Sequence, residues 1–392
     1  MQRQSDISEI KGANQVGLRQ QNEKLVLTIL RRQGPLPKAE IARRTGLSAQ
    51  TTSVIMRALE QDGFLEKCEK VRGKIGQPSI PMRLSSQGAY FFGLKVGRRS
   101  SEIVLANFVG EIVAQRQRTH KYPTPQTTME FAQKSIADIR DEMDQVAWAR
   151  IAGLGIAAPY FLWEWAESIG VDPAEMESWR TCDLKKELGQ HYDFPTFLGN
   201  DASCACGAEL VFGTSEMTSE CLYLYFGYFI GGGVVINGKL FTGSFGNAGA
   251  LGPLPAYGAS GPARQLVDVA SLGGLERRLV RLGLPAGVIW ENADHWDIHA
   301  DIIEDWLNDI IPATAYAVKS AISIIDFPRV IIDGSMPRSV LDKIVSGVSE
   351  TLDTEVSSGL IIPDVHVGSL GRKARPLGAA SLPLAQRYLV GI

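Results

Sequence analysis

Leu222-Tyr223-Leu224-Tyr225-Phe226-Gly227 opens the stretch that decides the fold: an apolar strand broken by glycine, then Val234-Val235-Ile236, the tight turn Asn237-Gly238, and Leu240-Phe241-Thr242. Asn-Gly between two apolar runs is a strong hairpin signal, because both residues tolerate the positive φ of a two-residue turn. The same order stands earlier, as Tyr90–Val96, a break at Gly97, Ile103–Ala106, the turn Val109-Gly110-Glu111, and Ile112–Ala114. Each copy is followed by helical and then strand material: Thr128–Val146 and Ile151–Ile156 in the first half, Trp306–Ile325 and Val330–Asp333 in the second. Two β-β-β-α-β units predict an internal duplication, with two α/β lobes and a cleft between them for a small ligand.

Toward the N-terminus the texture changes. Leu25, Val26, Ile29 and Leu30 recur at helical spacing between Arg19 and Arg32, and Gly34-Pro35 ends the run. Pro37 opens a short helix through Ala39, Ile41 and Ala42, stopped by Gly46. Ser48 is placed to cap a third helix that turns Val54, Ile55, Ala58 and Leu59 inward and ends at Gly63. Two short helices joined by a turn with a glycine have helix-turn-helix spacing. Phe64–Val71 and Ser79–Leu84 flank Arg72-Gly73-Lys74-Ile75-Gly76-Gln77-Pro78 and read as a hairpin wing with cations at its tip. The third helix would offer Gln50, Thr51, Ser53 and Arg57 to base edges, while Arg43, Arg44, Arg72 and Lys74 hold phosphates.

Charge follows the same division. The 392 residues carry a net charge of −3, from 40 Lys/Arg and 43 Asp/Glu. Residues 1–90 hold 15 Lys/Arg against 8 Asp/Glu, a balance of +7, and the remaining 302 hold 25 against 35, a balance of −10. A basic head on an acidic body predicts operator DNA as a partner of the head alone. With 45% hydrophobic and 21% charged residues, wholesale disorder is excluded. The best apolar run, Ile151–Trp163, is interrupted by Pro159 and falls short of the roughly 20 residues that a membrane span needs. Five cysteines, an odd number behind a polar N-terminus with no leader pattern, predict free thiols in a reducing cytoplasm. Cys204 and Cys206 read as buried thiols, and His295 and His299, among acidic neighbours, as part of a solvated surface helix.

Gly153-Leu154-Gly155-Ile156-Ala157-Ala158-Pro159, Gly199-Asn200-Asp201-Ala202, Ile230-Gly231-Gly232-Gly233-Val234-Val235-Ile236-Asn237-Gly238-Lys239-Leu240, Gly243–Gly252 and Gly273-Gly274-Leu275-Glu276 follow in an order that resembles the ROK family (repressors, open reading frames and sugar kinases). The resemblance covers nearly the whole chain and is to the regulator branch with an N-terminal winged helix. It implies an α/β fold: a winged helix-turn-helix over residues 1–86, then a two-lobe actin-like (ribonuclease-H-like) ROK domain over 87–392. Lobe one would take about 87–200 plus the C-terminal helix, and lobe two about 201–375. A carbohydrate or polyol effector in the cleft and a homodimer or homotetramer on two-fold DNA sites are also implied.

The family's phosphate-binding Asp-x-Gly-Gly-Thr turn is matched here by Lys95-Val96-Gly97-Arg98-Arg99, and its second phosphate turn by Gly227-Tyr228-Phe229. A lysine in place of the metal-side acid opposes magnesium by charge, and two arginines fill phosphate space, so no catalytic residue is expected. Asn200 and Asp201 match the sugar-contacting pair, in which the acid is also the kinase base; they would equally cap the following helix. The family's Ala-Gly-Glu-x-Gly-His is Ala248-Gly249-Ala250-Leu251-Gly252-Pro253, so a sugar-contacting Glu and a sugar- and zinc-binding His are replaced by Ala250 and Pro253. The family's three zinc cysteines are missing between Leu254 and Glu276, so neither zinc nor another cofactor is expected. Glu276, another sugar contact in relatives, is retained. The expected function is a transcription regulator, a repressor, whose operator affinity answers to a ligand held by Asn200, Asp201 and Glu276. Two alternatives stand beside it: a bifunctional sugar kinase and regulator with altered phosphate binding, and a regulator that answers to a protein partner.

Overall fold

Helix α1 (Gln15–Gln33) forms because apolar side chains fall on one stripe, and Val26, Leu27 and Leu30 are buried there. The computed structural model describes residues 15–69, 80–215, 217–256, 264–292, 294–354 and 358–391. Helix α2 (Lys38–Thr45) starts behind Pro37 and stops at Gly46, whose φ of 70° suits a residue without Cβ. Helix α3 (Ala49–Gln61) is capped by Ser48, whose Oγ accepts the Thr51 N–H at 3.1 Å. Strands β1 (Leu65–Lys67) and β2 (Met82–Leu84) pair antiparallel as the stem of the wing, Leu65 opposite Leu84. The wing tip, with Arg72 and Lys74, lies outside the described residues.

One expectation for α3 is corrected. Val54 does not turn inward; it is 56% exposed, and Thr52, Ile55, Met56 and Leu59 make the buried face. At about 100° per residue Thr52, Ile55, Met56 and Leu59 fall on one side of the helix, and Val54 falls on the other.

This first compact unit extends to Gly88 and also contains Arg387–Val390 from the far end of the chain. The Val390 N–H donates to Thr28 Oγ1 at 2.9 Å, and the Tyr388 ring centre lies 5.3 Å from that of Phe64.

The second unit, from Ala89 to Gln386 with Gly391, holds two five-stranded sheets of the same design. In the first, β3 (Tyr90–Val96), β4 (Ser100–Asn107), β5 (Ile112–Thr119), β6 (Ile151–Ala157) and β7 (Thr196–Gly199) lie in the order β5-β4-β3-β6-β7. The β5–β4 and β4–β3 pairings are antiparallel, and β3–β6 and β6–β7 are parallel. Helix α4 (Pro125–Glu142) makes the crossover from β5 and buries Phe131, Ala132, Ile136 and Ile139. The short helices α5 (Gln145–Trp148), α6 (Ala166–Ile169), α7 (Pro173–Met176) and α8 (Leu184–Gly189) lead on to β7.

Helix α9 (Asp201–Phe212) then leads to β8 (Cys221–Phe226), β9 (Ile230–Ile236) and β10 (Lys239–Phe241). A two-residue ladder of β11 (Pro255–Ala256) and β12 (Arg264–Gln265) follows, then α10 (Leu266–Val269), α11 (Leu272–Arg281), α12 (Val288–Glu291) and α13 (Ala300–Ile322). With β13 (Arg329–Gly334), α14 (Arg338–Thr354) and β14 (Asp364–Val367), the second sheet has the order β10-β9-β8-β13-β14. Both sheets therefore run third-second-first-fourth-fifth, and the duplication read from the hairpins is a duplication of whole sheets. The fifth strand of each is only four residues long and did not stand out in the sequence.

Helix α15 (Ala374–Tyr388) packs without clearance. A Cβ on Gly155 of β6 would overlap the Ala379 carbonyl, and one on Gly378 would overlap the Cys204 carbonyl of α9. Cys204 and Cys206 are buried and free, as expected. His295 and His299 are exposed but not on one helix: α13 begins at Ala300, with His299 as its cap residue and His295 in the preceding loop. Among the described residues no helix is long and apolar enough to cross a membrane.

Candidate functional site

Strand β7 delivers the chain to Asn200, the N-cap of α9, whose Oδ1 accepts the Ala202 and Ser203 N–H groups at 3.0 and 3.2 Å. Its amide oxygen is thus committed to the helix, and Nδ2, 3.5 Å from Asn247 Oδ1, is the group left to offer a ligand. Asp201 follows at the first helical position, where the helix dipole favours a carboxylate. Its Oδ2 lies 3.3 Å from Arg375 Nη1 in the first turn of α15.

Asn200 and Asp201 line a cavity of about 380 Å³ with walls from both sheets. The loop after β6 contributes Tyr160, Phe161 and Trp165, and the β8–β9 hairpin contributes Tyr228 and Phe229. Trp165 and Phe229 meet edge to face with centres 4.5 Å apart. Phe161 has a φ of 57°, in the left-handed region that a bulky residue rarely occupies, so backbone strain sits at the cavity wall. Flat rings can cover the C–H face of a sugar, while Asn200 Nδ2, Asp201, Asn247 and Gln265 are available for hydroxyls. Ala250 and Pro253 also line the cavity, so the positions that carry Glu and His in relatives are apolar wall here.

Glu276 is not brought to this cavity. Its carboxylate is gripped by the Arg99 guanidinium, which also lies 5.7 Å above the Trp290 ring, and its Oε2 accepts Trp290 Nε1–H at 2.8 Å. The physical reason lies in the turn after β3: the arginine that stands where relatives have threonine supplies a charge that captures the acid.

The same turn does not fit magnesium, because a lysine stands in it where a metal would need an acid. The Lys95 ammonium, buried, donates to Ser100 Oγ at 3.1 Å and sits 4.0 Å from Glu102. Burial, and then the Arg375 charge, push its pKa down to about 7. The zinc motif fits no better. Pro253 offers no donor, Glu276 is engaged by Arg99, and among the described residues no three His, Cys, Asp or Glu are placed to hold a metal.

In the first unit, Gln50, Val54 and Arg57 are exposed on α3 and Thr51 and Ser53 half-exposed, opposite the face that makes the core. Arg43 and Arg44 are exposed on α2, and both pair with Glu40, at 2.6 and 2.5 Å. These hydrogen bonds hold the Glu40 carboxyl down to about 2. Sequence reasoning missed Val54 as a surface residue. It also missed the aromatic lining, whose one available signal was four aromatic residues, Tyr160, Phe161, Trp163 and Trp165, within six positions. Arg375 carried no signal at all.

A winged helix-turn-helix joined to a duplicated α/β domain with a ring-lined cleft defines a class of ligand-responsive DNA-binding proteins. The chain belongs to the ROK family, whose model matches residues 91–386, and residues 19–66 match a winged helix-turn-helix DNA-binding model. It is 24% identical to an uncharacterized protein of Sinorhizobium fredii over 81% of this chain and 79% of that one. It is 26% identical to the xylose repressor of Bacillus subtilis over 61% of this chain and 62% of the repressor. Among solved structures, a ROK family transcriptional regulator, a homologue of the E. coli MLC protein, shares the fold at a TM-score of 0.66 and 18% identity, over 94% of this chain and 96% of that one. A ROK family glucokinase from Streptomyces griseus, in complex with glucose and AMPPNP, superposes at 0.58 and 21% identity, over 75% of this chain and 99% of the kinase.

Proposed function

We propose that the protein is a DNA-binding transcriptional repressor whose operator affinity is set by a carbohydrate or polyol held in the cleft at Asn200 and Asp201. The reading rests above all on α3, a capped helix with its core face buried and Gln50, Thr51, Ser53, Val54 and Arg57 available to a major groove. The relatives named as xylose repressors support sugar as the effector class. Ligand binding changes operator affinity if it favours one state of the protein over another, and the coupling is reciprocal. The cleft does not transfer phosphoryl groups and holds no zinc, and the protein works as a symmetric dimer or tetramer on two half-sites.

Selection of bound duplexes from a random-sequence library by the full chain, followed by fluorescence anisotropy, tests the DNA reading. A recovered consensus with two-fold symmetry is expected, and binding indifferent to sequence would defeat it. Anisotropy repeated with a panel of pentoses, hexoses and polyols is expected to shift the operator Kd with at least one of them. Sugar-dependent ATP consumption would instead support the bifunctional kinase. Elemental analysis of the purified protein is expected to find no stoichiometric zinc, and EDTA to leave its Tm unchanged.

A further inference from the structure

Beside the sugar cavity lies a second, smaller one of about 90 Å³, and the two share Gly97, Arg98, Tyr228 and Arg375 as walls. Five cations line it: Lys95, Arg98, Arg99, Arg372 and Arg375. Acids answer some of them. Glu276 pairs with Arg99, Asp201 with Arg375, and Glu102 stands 4.0 Å from Lys95. Among the described residues, Arg98 and Arg372 have no carboxylate partner. Arg98 donates to the Lys121 and Ile169 carbonyls and lies 5.3 Å over the Tyr228 ring, and Arg372 donates to Gln117 at 2.8 Å. The Nε groups of Arg98 and Arg375 are buried without a hydrogen-bond partner, an arrangement that costs free energy unless a ligand answers it. Ser100, Thr119 and Ser335 add hydroxyls to the same walls.

Forked guanidiniums with an excess of positive charge suit a tetrahedral oxyanion, and the cavity exceeds the roughly 10–15 Å³ that one water needs. The anion need not come from a nucleotide, because the site shares Gly97, Arg98, Tyr228 and Arg375 as walls with the cavity that holds the sugar candidates. We propose that this cationic annex binds the phosphoryl group of the effector itself, so that the effector is a sugar monophosphate with its ring among the aromatic side chains and its phosphate at Arg98 and Arg372. The proposal rests on the sugar reading of the larger cavity. The lysine, arginine and arginine that displace the kinase-type turn would then be a rebuilt ligand subsite rather than the debris of one.

Isothermal titration of the full chain with parent sugars, each paired with its monophosphate, and with the corresponding uronates, tests this. At least one monophosphate is expected to bind about tenfold or more tighter than its parent, as charge-assisted hydrogen bonds would supply. Arg372→Gln, an exposed substitution outside the walls of the sugar cavity, is expected to erase that advantage while parent-sugar affinity stays within about twofold, and Arg98→Ala to erase it as well. Binding near pH 8 is expected to take up a proton, read from titrations in buffers of different ionisation enthalpy, because an anion would return Lys95 to its charged form. Parent sugars binding as tightly as their phosphates, a phosphate advantage that survives both substitutions, or uronates preferred over phosphates would each overturn the proposal. Orthophosphate alone serves as the control that separates the two readings: a rise in Tm, at matched ionic strength and lost in Arg372→Gln, with no response to any sugar or sugar phosphate would sink the sugar reading and leave the anion site standing.

Discussion

Arg375 Nη1 lies 3.3 Å from Asp201 Oδ2, and both side chains are more than four-fifths buried. The pair ties the first turn of α15 to the first turn of α9 at the wall of the cleft, and the Arg375 guanidinium also sits 4.9 Å over the Tyr225 ring. A ligand that reaches Asp201 therefore meets a carboxylate that already has a partner.

Arg375→Ala leaves the Asp201 charge buried without its counter-charge and is expected to cost about 3 kcal/mol of stability. Asp201→Asn in the same background should recover at least half of that loss. Urea unfolding of the two single variants and the double variant completes the cycle, and simple additivity would mean that the contact is energetically idle.

On α3, Gln50→Ala and Val54→Ala should each reduce affinity for the selected operator by about 1–3 kcal/mol and relax preference at a single base position, while leaving the salt dependence alone. A branched apolar side chain exposed on a reading face suits a thymine methyl group. Arg43→Ala and Arg44→Ala should weaken binding to all duplexes alike and lower the salt slope by about one each. Anisotropy across a salt series separates the two kinds of loss.

Lys95 gives a pH signature. Its pKa falls from 10.5 when unfolded to about 7 when folded, burial being the main cause, so folding favours the neutral amine. The unfolded chain holds the proton more strongly between those values, so this group makes stability rise from pH 7 toward 10.5, and its full penalty applies below 7. Lys95→Met should stabilise the protein at pH 6 and flatten the rise above 7, measured as Tm against pH.

Gly155→Ala should be among the most damaging small substitutions, at about 3 kcal/mol or more, because its methyl group would meet a backbone carbonyl of α15 rather than a side chain that can rotate away. Gly170→Ala is the control for backbone freedom without crowding: its φ is 67°, and among the described residues nothing lies within 4 Å of the added carbon.

Much of this architecture was legible in the sequence because it is written in local chemistry. The Asn237-Gly238 turn, the Ser48 cap and the largely apolar run of β3, which is buried from Phe91 to Val96, each announce themselves over a few residues. The short strands β7 and β14 did not, because four residues at a sheet edge carry too little pattern to separate from loop. The site divided in the same way. Asn200 and Asp201 were legible from their motif and do line the cleft, whereas Glu276 was carried over from relatives and is held elsewhere by Arg99, a partner 177 positions away in the chain. Arg375 reaches the cleft only because α15 folds back onto β6, and no spacing in the sequence encodes that. Val54 failed for a simpler reason, since an apolar side chain is assumed buried until the phase of its helix is fixed.

The four residues Arg387–Val390 complete the fold of the operator-reading unit from the opposite end of the polypeptide. Synthesis therefore cannot finish that unit early: its first 88 residues leave the ribosome long before Val390 arrives to meet Thr28. Until the ligand-binding lobes have been translated, the cell holds only an unfinished reader. A fragment cut at Gly88 lacks four residues of that compact unit, and a deletion that removes Arg387–Val390 takes them from the operator-reading unit as well.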